Sequence, residues 1–317
     1  MLRKLITDKF KKSLLVRHDP DGTIFYFAPE ELGLSASPFE FSGERGQALR
    51  GWFYKKGDVT RERLICFDHG MGCGHRAYLR EIALLCEAGY EVFTYDHTGT
   101  RFSEGESIGG FTQSLVDLDH AISAIKEAGL VGERRISVIG HSWGGFSTMN
   151  VPAFHRDIDS IVAFSGFISP RYMIELLLGP MAKHAPALFS LEEERFGSYA
   201  YADARLSLKL ADKTRAMIFH SADDKICPVK HLDALKDALG ESDRIRFVKV
   251  DGKGHNPNYS TAAVAYKDEF FAAHTRFVKK KGLTDEEKSA FVGSWDWIRM
   301  TEQDSEVWQR VIDFIEG

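Results

Sequence analysis

The chain has 317 residues, 44% hydrophobic and 27% charged, with a formal net charge of −5. This ordinary balance disfavours disorder and membrane spans and suits one large α/β domain carrying an insertion. The weak acidity gives no electrostatic reason to expect a nucleic-acid partner.

Cys66, Cys73, Cys86 and Cys227 are scattered without C-x-x-C spacing. That argues against a zinc cluster or a disulfide framework and for free thiols in a reducing compartment. Charged residues interrupt every apolar run near the N-terminus, so no signal peptide is read there and a cytoplasmic location is expected.

Leu2, Ile6, Phe10 and Leu14 recur every fourth residue among lysines, which predicts an amphipathic basic helix over Leu2–Val16. It is read as packing on its own domain, with membrane-surface contact as the alternative. Pro29 to Pro38 reads as a connecting loop, so residues 1–37 precede the main domain. Phe39–Phe41 and Ala48–Tyr54 read as an antiparallel hairpin. Arg63–Asp68 is a short apolar strand ending at His69-Gly70-Met71-Gly72-Cys73-Gly74, whose glycines let the backbone approach a ligand.

A helix over Tyr78–Ala88, a strand over Glu91–Tyr95, a helix over Leu115–Ala128 and a strand over Ile136–Ile139 follow. Strand alternating with helix at this rhythm predicts a parallel sheet covered on both faces. Ser160–Phe164 is another buried strand. Residues 166–213 break the alternation and read as a small helical cap, in which Phe167, Tyr172 and Met173 are expected to cover an apolar group of the substrate, with simple cover of the sheet as the alternative. Strand character returns at Ala216–His220 and Ile245–Val250, and the remainder is helical. The core is therefore assigned to 38–165 and 214–317.

The strand over Ile136–Ile139 runs into Gly140-His141-Ser142-Trp143-Gly144, a G-x-S-x-G pattern in its strand-turn-helix setting. The flanking glycines leave room for a sharp turn that raises the serine hydroxyl above the sheet. The Trp143 N–H lies at the helix N-terminus, where developing negative charge is favoured. His141 points away from the serine in such a turn and is not its base.

A serine hydroxyl needs a base and a third group to orient that base. The strand ending at His220 runs into Asp223-Asp224, and the strand ending at Val250 runs into Gly252-Lys253-Gly254-His255. Asp223 and Asp224 compete for the acid role at this stage.

From about Phe39 to His255 the chain resembles the α/β-hydrolase superfamily, and the stretch from Pro29 to Trp52 loosely resembles its bacterial acyl-esterase branch. Asp224-Lys225-Ile226-Cys227-Pro228 matches the family's D-x-[IV]-x-P run, which implies Asp224 as the acid. The family's late G-x-G-H loop implies His255 as the base. His69-Gly70-Met71 is similar to the H-G-x turn, implying Met71 with Trp143 as oxyanion donors; Gly70 and Cys73 are read as lining the pocket, and His69 either as beside the substrate or as a structural residue that holds the loop through its ring hydrogen bonds. The resemblance implies an α/β-hydrolase fold with a mostly parallel eight-stranded sheet. One departure is Arg101, which stands where the family carries the second glycine of a D-x-x-G-x-G-x-S loop and is weighed as a contact for an acidic substrate.

The implied activity is cleavage of a carboxylic ester or thioester of a small molecule through an acyl-enzyme, with no metal or organic cofactor. A peptidase or amidase with the same triad is the alternative, and a non-catalytic ligand-binding protein of this fold the remote one.

Overall fold

In the computed structural model of the protein, residues 7–8, 11–12, 15–72 and 74–317 are described. The helix predicted over Leu2–Val16 lies mostly outside them, as does Cys73.

One eight-stranded sheet with the order β1-β2-β4-β3-β5-β6-β7-β8 organises the chain. Its strands are β1 Ser35–Ser42, β2 Ala48–Lys55, β3 Arg63–Asp68, β4 Glu91–Tyr95, β5 Arg135–His141, β6 Ile158–Phe164, β7 Arg215–Ser221 and β8 Ile245–Val250. β1 and β2 pair antiparallel, as does β2 with β4, and every other neighbour is parallel. The loop expected through Pro38 is shorter than the sequence suggested, because a short 3-10 helix at Pro29–Leu32 leads directly into β1.

The central strands are apolar without alternation because both faces are covered. In β3, Leu64 and Cys66 join one core while Ile65 and Phe67 join the other; in β6, Ile161 and Ala163 oppose Val162 and Phe164. The helices, in chain order, are α1 Leu79–Glu87, α2 Gln113–Glu127, α3 Trp143–Asn150, α4 Pro170–Leu178, α5 Ala185–Phe196, α6 Ala204–Leu210, α7 Lys230–Leu239, α8 Thr261–Phe277, α9 Asp285–Gly293, α10 Trp297–Met300 and α11 Ser305–Glu316. The first core takes in residues of α2, α3 and the 170–210 helices, and the second those of α1 and α11.

The helical remainder is divided at residues 301–304. α10 ends at Met300, and Asp304 starts α11 by accepting the Glu306 and Val307 amides at 3.0 and 3.1 Å.

Candidate active site

β5 ends between β3 and β6 and delivers Ser142 with φ 58° and ψ −112°, a conformation costing an L-residue about 1–3 kcal/mol. The surroundings enforce it. The Ser142 N–H donates to the Phe164 carbonyl at 2.8 Å, and the Ser142 carbonyl accepts from Phe146 at 3.0 Å, so the turn closes one ladder and opens α3. A Cβ at Gly140 would stand 2.3 Å from the Gly144 oxygen, and one at Gly144 would stand 2.1 Å from the Asp68 oxygen. These are the collisions the motif anticipates. Trp143 is the first residue of α3, so its amide has no acceptor within the helix. Its buried indole donates to the Phe111 carbonyl at 2.6 Å.

Asp224 and His255 follow the carboxyl ends of β7 and β8. His255 Nδ1 donates to Asp224 Oδ2 at 2.8 Å, and the other carboxylate oxygen accepts the Ile226 and Cys227 amides at 2.8 and 3.0 Å. The Asp224 side chain is 0% exposed and that of His255 15%. Burial pushes the Asp224 carboxyl upward, but the hydrogen bond and charge of His255, with the two amides, outweigh it and hold the group below its ordinary value. Asp223 is turned away, accepting from Ser221 Oγ and from the Gly254 amide at 3.2 Å.

Ser142 and His255 line one cavity of about 480 Å³, together with Gly70 and Met71. Burial and the Asp224 charge drive the pKa of the Cys227 thiol well above the ordinary thiol range.

Two anchors escaped sequence reading. Lys253 donates to the Tyr259 carbonyl at 2.5 Å and to Asp304 at 2.6 Å, tying the His255 loop to the start of α11. Behind the 69–74 loop, His97 lies 2.9 Å from Asp68 and 3.3 Å from Asp117. Burial lowers the His97 pKa, but the Asp68 charge and the bonds to Asp117 and Asp68 more than offset it and raise the value to about 9. Tyr95 donates to Asp68 at 2.9 Å, and Ser147 of α3 also donates to it, so this buried network joins β3, α2 and α3 beneath the site. The only sequence signal was the position of Asp68 and His97 at the ends of two apolar strands.

Four residues expected at the substrate are elsewhere. His69 is fully buried; its Nδ1 donates to the Gly70 carbonyl at 2.7 Å and its Nε2 accepts the His97 amide at 3.1 Å, so it holds the loop from below. Phe167 is 2% exposed and stacks on Phe146 of α3 with centroids 4.6 Å apart, and Met173 is buried in the same core. Tyr172 packs edge-on to His231 at 5.0 Å and lines a separate hollow. The 170–210 helices follow β6, and their Met173, Ile174, Leu188, Phe189 and Phe196 join the core that also takes in Phe146 and Met149 of α3, while Glu192 of α5 caps α2 by accepting the Phe111 and Thr112 amides at 2.8 and 2.9 Å. α8 faces the cavity instead, through Val264, Lys267, Asp268 and Phe271.

Arg101 has φ 46°, which explains the family's glycine there, and its guanidinium lies 4.1 Å from the centre of the Tyr26 ring, outside the cavity lining. Among the described residues, no group of three or more His, Cys, Asp and Glu side chains is arranged to hold a metal ion, and no helix is long and apolar enough to cross a membrane.

A mostly parallel sheet with a strained serine between its central strand and a helix defines the class: the chain has the α/β-hydrolase fold. A family model described as serine aminopeptidase, S33, matches residues 60–198. The chain is 29% identical over 138 residues to the polyketide transferase grgF of a Penicillium species, a match covering 43% of this chain and 46% of that protein, somewhat under half of its length. The esterase Pf2001 of Pyrococcus furiosus superposes with a TM-score of 0.60 at 18% identity, over 82% of this chain and 98% of that one. The α/β hydrolase GrgF from Penicillium sp. sh18 gives 0.54 at 20% identity, over 77% and 98%. A puromycin-hydrolyzing peptidase of Mycobacterium tuberculosis gives 0.52 at 13% identity, over 70% and 36%.

Proposed function

We propose that the chain is a serine hydrolase that cleaves a carboxylic ester or thioester through an acyl-enzyme, with Ser142 as nucleophile, His255 as base and Asp224 as orienting acid. The observation that carries this reading is the 2.8 Å bond from His255 Nδ1 to a fully buried Asp224, with the same imidazole sharing a cavity with Ser142. With Nδ1 protonated toward Asp224, Nε2 carries the lone pair that accepts the serine proton as Ser142 Oγ attacks the acyl carbon. The proton is then delivered to the leaving oxygen or sulfur, and a water molecule repeats the sequence to release the acid. The amides of Met71, which lines the same cavity, and of Trp143, the first residue of α3, are assigned as the donors for the oxyanion, each worth about 2.7–4 kcal/mol of transition-state stabilisation.

Met71, Ala77, Ile226, Tyr259, Val264 and Phe271 give the cavity an apolar wall suited to an acyl or aryl group. An aminopeptidase is the second reading, since Asp223 and Asp268 reach the cavity and would suit an α-ammonium group. Lys225 and Lys267 line the same space and offset those carboxylates, which favours the neutral ester.

Chromogenic acyl esters of graded chain length, assayed beside aminoacyl anilides, test the reading. Ser142→Ala is expected to abolish ester turnover and labelling by a fluorophosphonate while the melting temperature is kept. Retained turnover refutes the assignment, and faster anilide cleavage selects the peptidase.

A further inference from the structure

His141, the residue before the nucleophile, takes no part in proton transfer in the mechanism above, yet both of its ring nitrogens are engaged. Nε2 lies 2.6 Å from the His255 carbonyl oxygen, and Nδ1 lies 2.8 Å from the Tyr78 hydroxyl, which accepts the Gly70 amide at 3.0 Å. His141 and Tyr78 are both buried, and the His141 and His255 rings are 4.8 Å apart.

The directions of these bonds follow from chemistry. A carbonyl only accepts, so Nε2 carries the hydrogen and donates it to His255. Burial and the neighbouring His255 charge hold the His141 pKa well below the ordinary histidine value, so the ring is neutral and Nδ1 is an acceptor. Tyr78 therefore donates its hydrogen to Nδ1, while its oxygen receives the Gly70 N–H.

We propose that Tyr78 and His141 are positioning residues: one hydrogen-bonded chain, Gly70 to Tyr78 to His141 to His255, fixes the loop carrying the oxyanion donor Met71 and the loop carrying the base against the same side chain of the nucleophile turn. The catalytic part of this inference rests on the proposed serine chemistry. Gly70 and Met71 share a peptide, so the bond from the Gly70 amide restrains the loop from which the Met71 N–H is presented. At the other end, Asp224 orients the His255 ring while His141 holds its backbone. Each loop is thus gripped from two sides, and displacement of about 1 Å in such groups costs around 100-fold in rate.

The test uses Tyr78→Phe, His141→Leu, their double variant and His141→Gln on the full chain. His141→Leu is expected to lower kcat for an acyl ester about 10- to 100-fold with KM within a factor of two, a split that loss of packing alone would not produce. His141→Gln offers an amide N–H to the His255 carbonyl and an amide oxygen to Tyr78, and is expected to recover most of kcat. The double variant should be no worse than His141→Leu, because one chain can be broken only once. Leucine and glutamine variants that fold and are equally impaired, or single effects that multiply, overturn the proposal.

Imidazole nitrogen NMR separates this failure from failure of the enzymatic reading, because it needs no turnover. At neutral pH, His141 should show a protonated Nε2 and a bare Nδ1, and Tyr78→Phe should shift the Nδ1 resonance. The opposite tautomer overturns the chain of bonds even if the ester is hydrolysed. The expected tautomer in a protein without turnover would leave the bonds intact and remove the serine chemistry.

Discussion

Replacing Asp224 by asparagine is the sharpest perturbation of the proposed triad, because the structure dictates how the amide must sit. Oδ1 of Asp224 receives two backbone N–H groups, from Ile226 at 2.8 Å and Cys227 at 3.0 Å. An amide nitrogen placed there would meet two donors, so the asparagine oxygen takes that position and its NH2 group faces His255. His255 Nδ1 then has to accept, the ring hydrogen moves to Nε2, and the nitrogen meant to take the Ser142 proton is already protonated. Shape and packing are nearly unchanged, yet the base is in the wrong tautomer. In serine proteases this inversion lowers kcat about 10⁴-fold, corresponding to roughly 5.5 kcal/mol of activation free energy. The assay is steady-state hydrolysis of a chromogenic acyl ester, with the melting temperature as the control for folding. Asp223→Asn is the matched variant: its carboxylate contacts Ser221 and Gly254 rather than His255, and its loss should be far smaller. A folded Asp224→Asn enzyme within about tenfold of the parent rate would refute the reasoning.

Further outcomes follow from the network behind the site and from the cavity wall. His97 is raised from 6.5 to about 9, so its contribution is fully present below pH 6.5 and is lost as pH climbs through 9. The displacement corresponds to at most roughly 3 kcal/mol, and denaturant midpoints measured between pH 6 and 10 should show a decline that His97→Asn flattens. Phe167→Ala should cost about 3–5 kcal/mol of stability and leave the KM of those molecules that fold unchanged, because the ring is core. Phe271→Ala should do the reverse, since the ring is 44% exposed and lines the cavity; stability within about 0.5 kcal/mol and a changed KM for long acyl esters are expected. Equal KM values across the ester series for Phe271→Ala would remove α8 from the substrate wall.

What the sequence determined by itself is local in origin. Apolar runs mark β3 and β4 at their observed limits, because a strand buried on both faces has few polar positions to blur its ends. The glycines around Ser142 announced the sharp turn, since their missing side chains are a steric requirement that acts over a few residues. The tertiary structure decided whatever depends on which surfaces meet. The apolar side chains at Phe167 and Met173 would serve equally over a ligand or against α3, and only the packing of this region with the nucleophile helix assigns them to the core. Likewise Asp224 and Asp223 are chemically identical neighbours, and the direction of the turn after β7 alone aims one at His255 and the other at the Gly254 amide. Lys253 with Asp304, His97 with Asp68 and Asp117, and His141 with Tyr78 join residues far apart in the chain. Pairings between buried polar groups leave no periodic trace in a sequence, because each is set by the need to satisfy a particular donor or acceptor once the backbone has already brought it out of water.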